Sequence, residues 1–115
     1  MKRLSITTTS HGSCVILALA GHLDGNTAPE LARQVQQLVA EGMYNLIVDL
    51  KEVDFMSSAG LGVFMGEINR VREKQGDIRL LHPNATVRRL IEVMGFTHLF
   101  QIFDSEAKVL ESFQD

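Results

Sequence analysis

The chain has 115 residues, 45% hydrophobic and 22% charged, which makes one domain's worth of chain with enough apolar content to form a core and exclude general disorder. Eleven basic residues against fourteen acidic ones leave a net charge of −3, the opposite of the basic face a nucleic-acid binder presents. Cys14 is the only cysteine, so neither an internal disulfide nor a cysteine-based zinc site can form.

The basic start Met1-Lys2-Arg3 is followed by Ser, Thr, His and Gly rather than by the apolar stretch of a signal peptide. No segment nears the ~20 apolar residues of a membrane span, and a cytoplasmic protein without membrane contact is expected. Residues Ser5 to Thr9 are β-prone, and Val15 to Ala20 form an apolar run. The turn sequence His11-Gly12-Ser13 between them predicts an N-terminal hairpin. Cys14, at the head of that apolar run, reads as a buried, inert thiol.

Gly21 to Asn26 reads as a polar loop. Thr27-Ala28-Pro29-Glu30 then starts a helix, with Thr27 as cap and Pro29 in the first turn. Leu31, Val35, Leu38 and Val39 form its apolar stripe, and Gly42 ends it. Leu46 to Leu50 is a short apolar segment that fits a buried strand. A loop from Lys51 to Met56 leads to a second helix beginning near Ser57 or Ser58. Leu61, Phe64, Met65, Ile68 and Val71 are expected on its inner side and Gly76 as its stop.

Ile78 to Leu81 predicts the next strand. Asn84 caps a third helix with Val87, Leu90, Ile91 and Met94 inside, and Gly95 suits its left-handed C-terminal position. Leu99 to Phe103 reads as the last strand. Asp104 or Ser105 caps a final helix with Val109, Leu110 and Phe113 on its apolar side. The order β-β-α-β-α-β-α-β-α predicts an α/β fold: a mixed, mainly parallel sheet with about four helices in one domain over residues 1–115. Functional groups in such sheets gather beyond the carboxyl ends of the strands, which here selects Gly21 to Thr27 and Lys51 to Gly60.

Ser57 and Ser58 stand where a helix begins and its first N–H groups lack intrahelical partners. One serine can serve as the cap, worth about 1 kcal/mol. A phosphate on Ser57 or Ser58 would add about −1.5 to −2 charges at a place where free N–H groups and the helix dipole favour an anion. Such a modification leaves the fold intact and changes the surface. Gly62 and Gly66 lie one turn apart on the outer side of the same helix, at a cost of roughly 1 kcal/mol each against alanine. Close packing within the domain and a side-chain-free strip for a partner both account for them.

Other chemistries fit less well. Gly60, Gly62 and Gly66 depart from G-x-G-x-x-G by one residue, and Met56-Ser57-Ser58-Ala59-Gly60 lacks the first glycine of G-x-S-x-G. His11, His22, His82 and His98 stand singly near predicted turns, without metal-ligand spacing. Asp24, Asp49 and Asp54 could converge at one sheet edge and hold Mg²⁺ in a receiver-like site, although the adjacent acidic pair such a site uses is missing. Asp24 itself has an Asx-turn reading in Asp-Gly-Asn, and a functional one in which it bonds the N–H groups near Ser57 and Ser58 or a partner's side chain.

Taken in order, these segments resemble the STAS-domain anti-sigma factor antagonists over nearly the whole chain. Gly21-His22-Leu23-Asp24-Gly25-Asn26-Thr27-Ala28 resembles the family's first loop, and Leu46 to Leu50 its central strand. Phe55-Met56-Ser57-Ser58-Ala59-Gly60-Leu61-Gly62-Val63 resembles its signature. The resemblance implies a protein-binding module rather than an enzyme, with no cofactor. It implies Ser58 as the phosphate acceptor and a partner surface of Asp24, Asn26, Thr27, Met56, Ser57, Ser58, Gly60, Gly62 and Gly66. The implied partners are an anti-sigma factor that is also a serine kinase, and a PP2C-type phosphatase that reverses the modification. The chain itself is expected to be a monomer or weak dimer. Unphosphorylated antagonist binds the anti-sigma factor, which then releases its sigma factor. An alternative is a STAS interaction module in a larger signalling assembly that does not act on a sigma factor. The sequence departs from the family pattern at Ser57, where Asp is frequent, at Ala59, and at His22, where an acidic residue is frequent.

Overall fold

The computed structural model describes residues 3–114. Strands β1 (Ser5–His11) and β2 (Cys14–Leu23) form an antiparallel hairpin. They are followed by α1 (Ala28–Ala40), β3 (Asn45–Met56), α2 (Ser58–Glu73), β4 (Asp77–Leu81), α3 (Ala85–Val93), a 3₁₀ turn at Phe96–His98, β5 (Ile102–Phe103) and α4 (Glu106–Ser112). The sheet order is β1-β2-β3-β4-β5, with every pair after the hairpin parallel. This is the mainly parallel α/β architecture that the alternation of elements predicts.

The two faces of the sheet are covered unequally. Side chains alternate across a strand, so Val15, Leu17 and Leu19 of β2 and Leu46, Val48 and Leu50 of β3 share one face. There they pack on Leu31 and Val35 of α1, Leu61, Phe64 and Ile68 of α2, and Val87 and Ile91 of α3. On the other face Cys14, Ile16, Ile47 and Leu81 meet Val109 of α4. Arg79 ties α4 to β4: it donates to the carbonyl and hydroxyl of Ser112, both at 2.7 Å, and lies 4.0 Å over the Phe113 ring.

Several expectations are corrected. Gly21 to Leu23 and Lys51 to Met56 are strand rather than loop. β3 carries one extra residue at each of two register shifts: Ala18 pairs with Asp49 but Ala20 with Glu52, and Gly21 pairs with Val53 but His22 with Phe55. These bulges change the buried spacing from two to three, so Leu50, Val53 and Met56 face the core. The period-two signal of a strand is lost there while the pairing continues.

Met65 and Met94, expected inside, are 42% and 41% exposed. The buried stripe of α2 contains Glu67 instead of Met65. The left-handed residue after α2 is Gln75 (φ 66°), one before the Gly76 expected to stop the helix. Gly95 does take the left-handed position after α3, at φ 77°. The last strand is two residues long, because Phe96 to His98 turn as a 3₁₀ helix. Ser105, not Asp104, caps α4, while Asp104 pairs with Arg88 at 3.0 Å.

Candidate functional site

The carboxyl ends of β2 and β3 bring the two expected segments together. The Ser57 N–H donates to the Leu23 carbonyl at 2.9 Å. Ser57 is extended (φ −102°, ψ 167°) and its hydroxyl accepts the Gly60 N–H at 3.3 Å, so Ser57 is the N-cap of α2. Gly60 is buried against the end of β2: a Cβ there would stand 2.5 Å from the Leu23 carbonyl oxygen. Only a residue without a side chain lets α2 start this close to β2. Gly25 lies near the same point, since a Cβ on it would be 3.9 Å from that of Ala59.

The first loop is tied by its own side chains. One Asp24 carboxylate oxygen accepts the N–H groups of Asn26 (2.9 Å) and Thr27 (3.2 Å). The Thr27 hydroxyl donates to the His22 carbonyl at 2.8 Å and accepts the Asp24 N–H at 3.0 Å. Thr27 occupies the cap position of α1 yet makes no side-chain cap bond; its hydroxyl closes the loop instead. The Asx turn read for Asp24 is formed. Its carboxylate bonds Asn26 and Thr27 within its own loop rather than the start of α2.

The expected site residues separate into two groups. Thr27 and Met56 are 5% and 7% exposed, and Gly60 is buried. Buried there, these three support the loop and the helix start from beneath the exposed residues. Asn26, Ser58, Gly62 and Gly66 are exposed, and Asp24 and Ser57 half-buried. Ser58, Gly62, Gly66 and Asn69 recur at helical spacing on the outer face of α2. A Cβ on Gly62 or Gly66 would meet nothing within 4 Å, so close packing within the described residues does not account for these glycines.

Two further exposed groups adjoin the site. Met65 lies seven residues, close to two helical turns, after Ser58 and therefore shares its face. That spacing was the signal available in the sequence; apolar character alone placed Met65 in the core. Phe55 is 48% exposed and its ring centroid is 5.7 Å from that of His22. His22 therefore belongs to β2 and a ring pair rather than to a solvated loop.

The start of α2 suits a charge switch. Ser58 and Ala59 occupy the first turn, which holds no acidic residue, and the basic Arg70 and Arg72 lie in the last. The Ser58 hydroxyl is exposed and has no hydrogen-bond partner among the described residues. Free N–H groups and the helix dipole accommodate a phosphate there.

The receiver-like alternative does not assemble. Among the described residues no three His, Cys, Asp or Glu side chains come together to hold a metal ion. Asp49 and Asp54 both lie on β3, five residues and about 16 Å apart along an extended strand. The Asp49 carboxylate accepts the Lys51 N–H at 3.0 Å. No helix among the described residues is long and apolar enough to cross a membrane.

An exposed serine at a helix start, beside a tied loop at the carboxyl edge of a mainly parallel sheet, defines a class of α/β interaction domain. The STAS domain profile matches residues 5–109, and the chain belongs to the STAS-domain family. It is similar to the anti-sigma F factor antagonist of Paenibacillus polymyxa, 29% identical over 108 residues that span 93% of this chain and 92% of that one. The crystal structure of an anti-sigma factor antagonist from Mycobacterium paratuberculosis shares the fold at a TM-score of 0.85 with 23% identity, covering 97% of this chain and 95% of that one. The Bacillus cell fate determinant SpoIIAA, solved in its phosphorylated form, shares it at a TM-score of 0.75 with 19% identity, covering 96% of this chain and 100% of the other.

Proposed function

We propose that this chain is a phosphorylation-controlled anti-sigma factor antagonist, and that Ser58 carries the switch. Unphosphorylated, it binds an anti-sigma factor through the face formed by Ser58, Gly62 and Gly66, with Met65 and the Asp24 loop at its border. The bound anti-sigma factor releases its sigma factor in the cytoplasm. The chain is substrate and binding partner here, not a catalyst.

The observation that carries this reading is the division of labour between adjacent serines. Ser57 caps α2 through its hydroxyl, whereas the Ser58 hydroxyl is exposed and uncommitted. Phosphorylation at Ser58 therefore costs the fold no cap. The anti-sigma factor acts as the serine kinase: Ser58 Oγ attacks the γ-phosphorus of its ATP, an Oγ–P bond forms, and the bond to ADP breaks. The hydroxyl proton leaves to the kinase's base. A PP2C-type phosphatase restores the hydroxyl by hydrolysis.

A surface complementary to a neutral hydroxyl and two bare glycines then faces a dianion. Repulsion and desolvation worth roughly 3 kcal/mol weaken the complex more than a hundredfold. The likeness to a protein solved in a phosphorylated form supports the reading.

The test is a pull-down from lysate of the native cells with wild type and Ser58→Asp, identified by mass spectrometry. Capture of a small kinase-like anti-sigma factor by wild type alone is the expected result. Equal capture by both would leave Ser58 structural and favour a constitutive STAS interaction.

A further inference from the structure

A cleft far from Ser58 is lined by cations. It runs along the free side of β5 and encloses about 670 Å³, within the range of small-molecule sites. Arg72, Arg88, Thr97, His98 and Gln101 contribute its polar lining, and none of its nine lining residues is acidic. That is notable in a chain with more acidic than basic residues. Arg72 enters from the last turn of α2, about 20 Å along the helix from Ser58 at 1.5 Å per residue.

The guanidinium groups are held in place yet not used up. Arg72 Nε donates to Asp77 at 3.0 Å and Nη2 to the Leu99 carbonyl at 2.6 Å; Nη1 makes no hydrogen bond among the described residues. The Asp77 carboxylate also pairs with Arg79 at 3.0 Å, so one negative charge serves two positive ones. Arg88 bonds Asp104 through Nη2 alone, and Asp104 is 80% exposed. Asp104 is thus the one carboxylate bonded to Arg88 among the described residues. Thr97 and His98 are exposed and carry side-chain donors with no partner among the described residues. Backbone and apolar atoms of Leu99 to Phe103 form the remaining wall.

We propose that this cleft binds a small polyanionic metabolite, a phosphate ester or a polycarboxylate. Arg72 and Arg88 take the anionic group, Thr97 and His98 add hydrogen bonds, and the β5 wall holds the carbon skeleton. Both anion types suit planar guanidinium forks. The proposal is independent of the partner-switching reading, because it uses none of the residues around Ser58.

The test is a titration of ¹⁵N-labelled protein with pyrophosphate, and separately with citrate, at constant ionic strength set by chloride. Saturable shifts at the amides of residues 97–103 are expected, with affinity at least tenfold weaker in Arg88→Gln and in His98→Gln. Arg88 and His98 lie at the surface, so both variants retain the fold, which their own spectra verify. Saturation by pyrophosphate alone assigns a phosphate ester, by citrate alone a polycarboxylate, and by both a general polyanion site; each supports the proposal. Shifts that do not saturate, that are unaffected by both substitutions, or that appear at residues 57–60 instead would overturn it.

Discussion

The Leu23 carbonyl and Gly60 meet at the closest approach between β2 and α2: a Cβ on residue 60 would lie 2.5 Å from that oxygen and 2.7 Å from the Leu23 Cγ. The same carbonyl accepts the Ser57 N–H at 2.9 Å. One backbone atom therefore fixes both the cap and the first turn of α2. Gly60→Ala is expected to lower stability by about 2–3 kcal/mol, as overpacking against backbone does, because α2 must move away from β2. Urea unfolding measures the loss. Amide shifts at residues 57–62 in the folded fraction report the displacement, and unchanged stability would show that α2 is not pinned here.

Gly62 and Gly66 behave in the opposite way. Each sits inside α2 with open space where a Cβ would go. Gly62→Ala and Gly66→Ala should each stabilise the protein by about 1 kcal/mol, from helix propensity and a less free unfolded chain. Each should also weaken anti-sigma factor binding if that partner closes on the bare strip. Thermal unfolding and titration calorimetry on the same samples separate the effects. Stabilisation without loss of binding would leave the glycines outside the interface.

The two serines should divide stability and switching between them. Ser57→Ala removes the hydroxyl that accepts the Gly60 N–H and is expected to cost about 1 kcal/mol. Ser58→Ala should stay within about 0.5 kcal/mol of wild type, as exposed substitutions do, and should abolish phosphate incorporation by the kinase. Denaturant unfolding with phosphopeptide mapping checks both. Phosphate found on Ser57 would reverse the assignment.

Asp77 is the buried node of the β4 side. At 11% side-chain exposure it pairs with Arg72 and Arg79, both at 3.0 Å. Removing one partner of a buried ion pair strands the other charges, so Asp77→Ala should cost about 3 kcal/mol. Arg79 also holds Ser112 and Phe113, so the loss should loosen α4. Hydrogen exchange at residues 106–112 tests that local effect.

Burial pushes the Cys14 thiol up from its ordinary range; a hydrogen bond with Ser13 and the charge of Arg79 act in the other direction. The thiol therefore stays protonated at neutral pH, and iodoacetamide should modify the native protein far more slowly than the urea-unfolded chain. The sign of the pH dependence follows. The unfolded thiol ionises first, so the unfolded chain binds fewer protons, and stability falls as pH rises through the usual thiol range. Cys14→Ala should remove that part of the slope in unfolding measured from pH 7.5 to 9.5.

The order of elements was legible because each carries a local signal. The apolar run of β2, the apolar stripes of α1 and α3 and the left-handed Gly95 are all set by neighbours a few residues away. Part of the site was legible for the same reason, since Ser57 and Ser58 stand at a helix start whatever surrounds them. The bulges of β3 were not legible, because an extra residue in one strand exists only relative to its partner β2. Met65 was misplaced because an apolar side chain does not state which face of its helix is covered; Thr27 takes the expected cap position, but its hydroxyl finds the His22 carbonyl instead of the helix it precedes.

The sequence by itself determined the element order, the parallel sheet and the candidate serines, all of which rest on periodicity and local hydrogen bonding. Only the tertiary structure decided that Ser57 caps while Ser58 stays free, that Thr27, Met56 and Gly60 work from beneath, and that Arg72 and Arg88 line one cleft. Those outcomes depend on which backbone passes close to which. Such distances are set by the packing of helices on the sheet and not by any one segment.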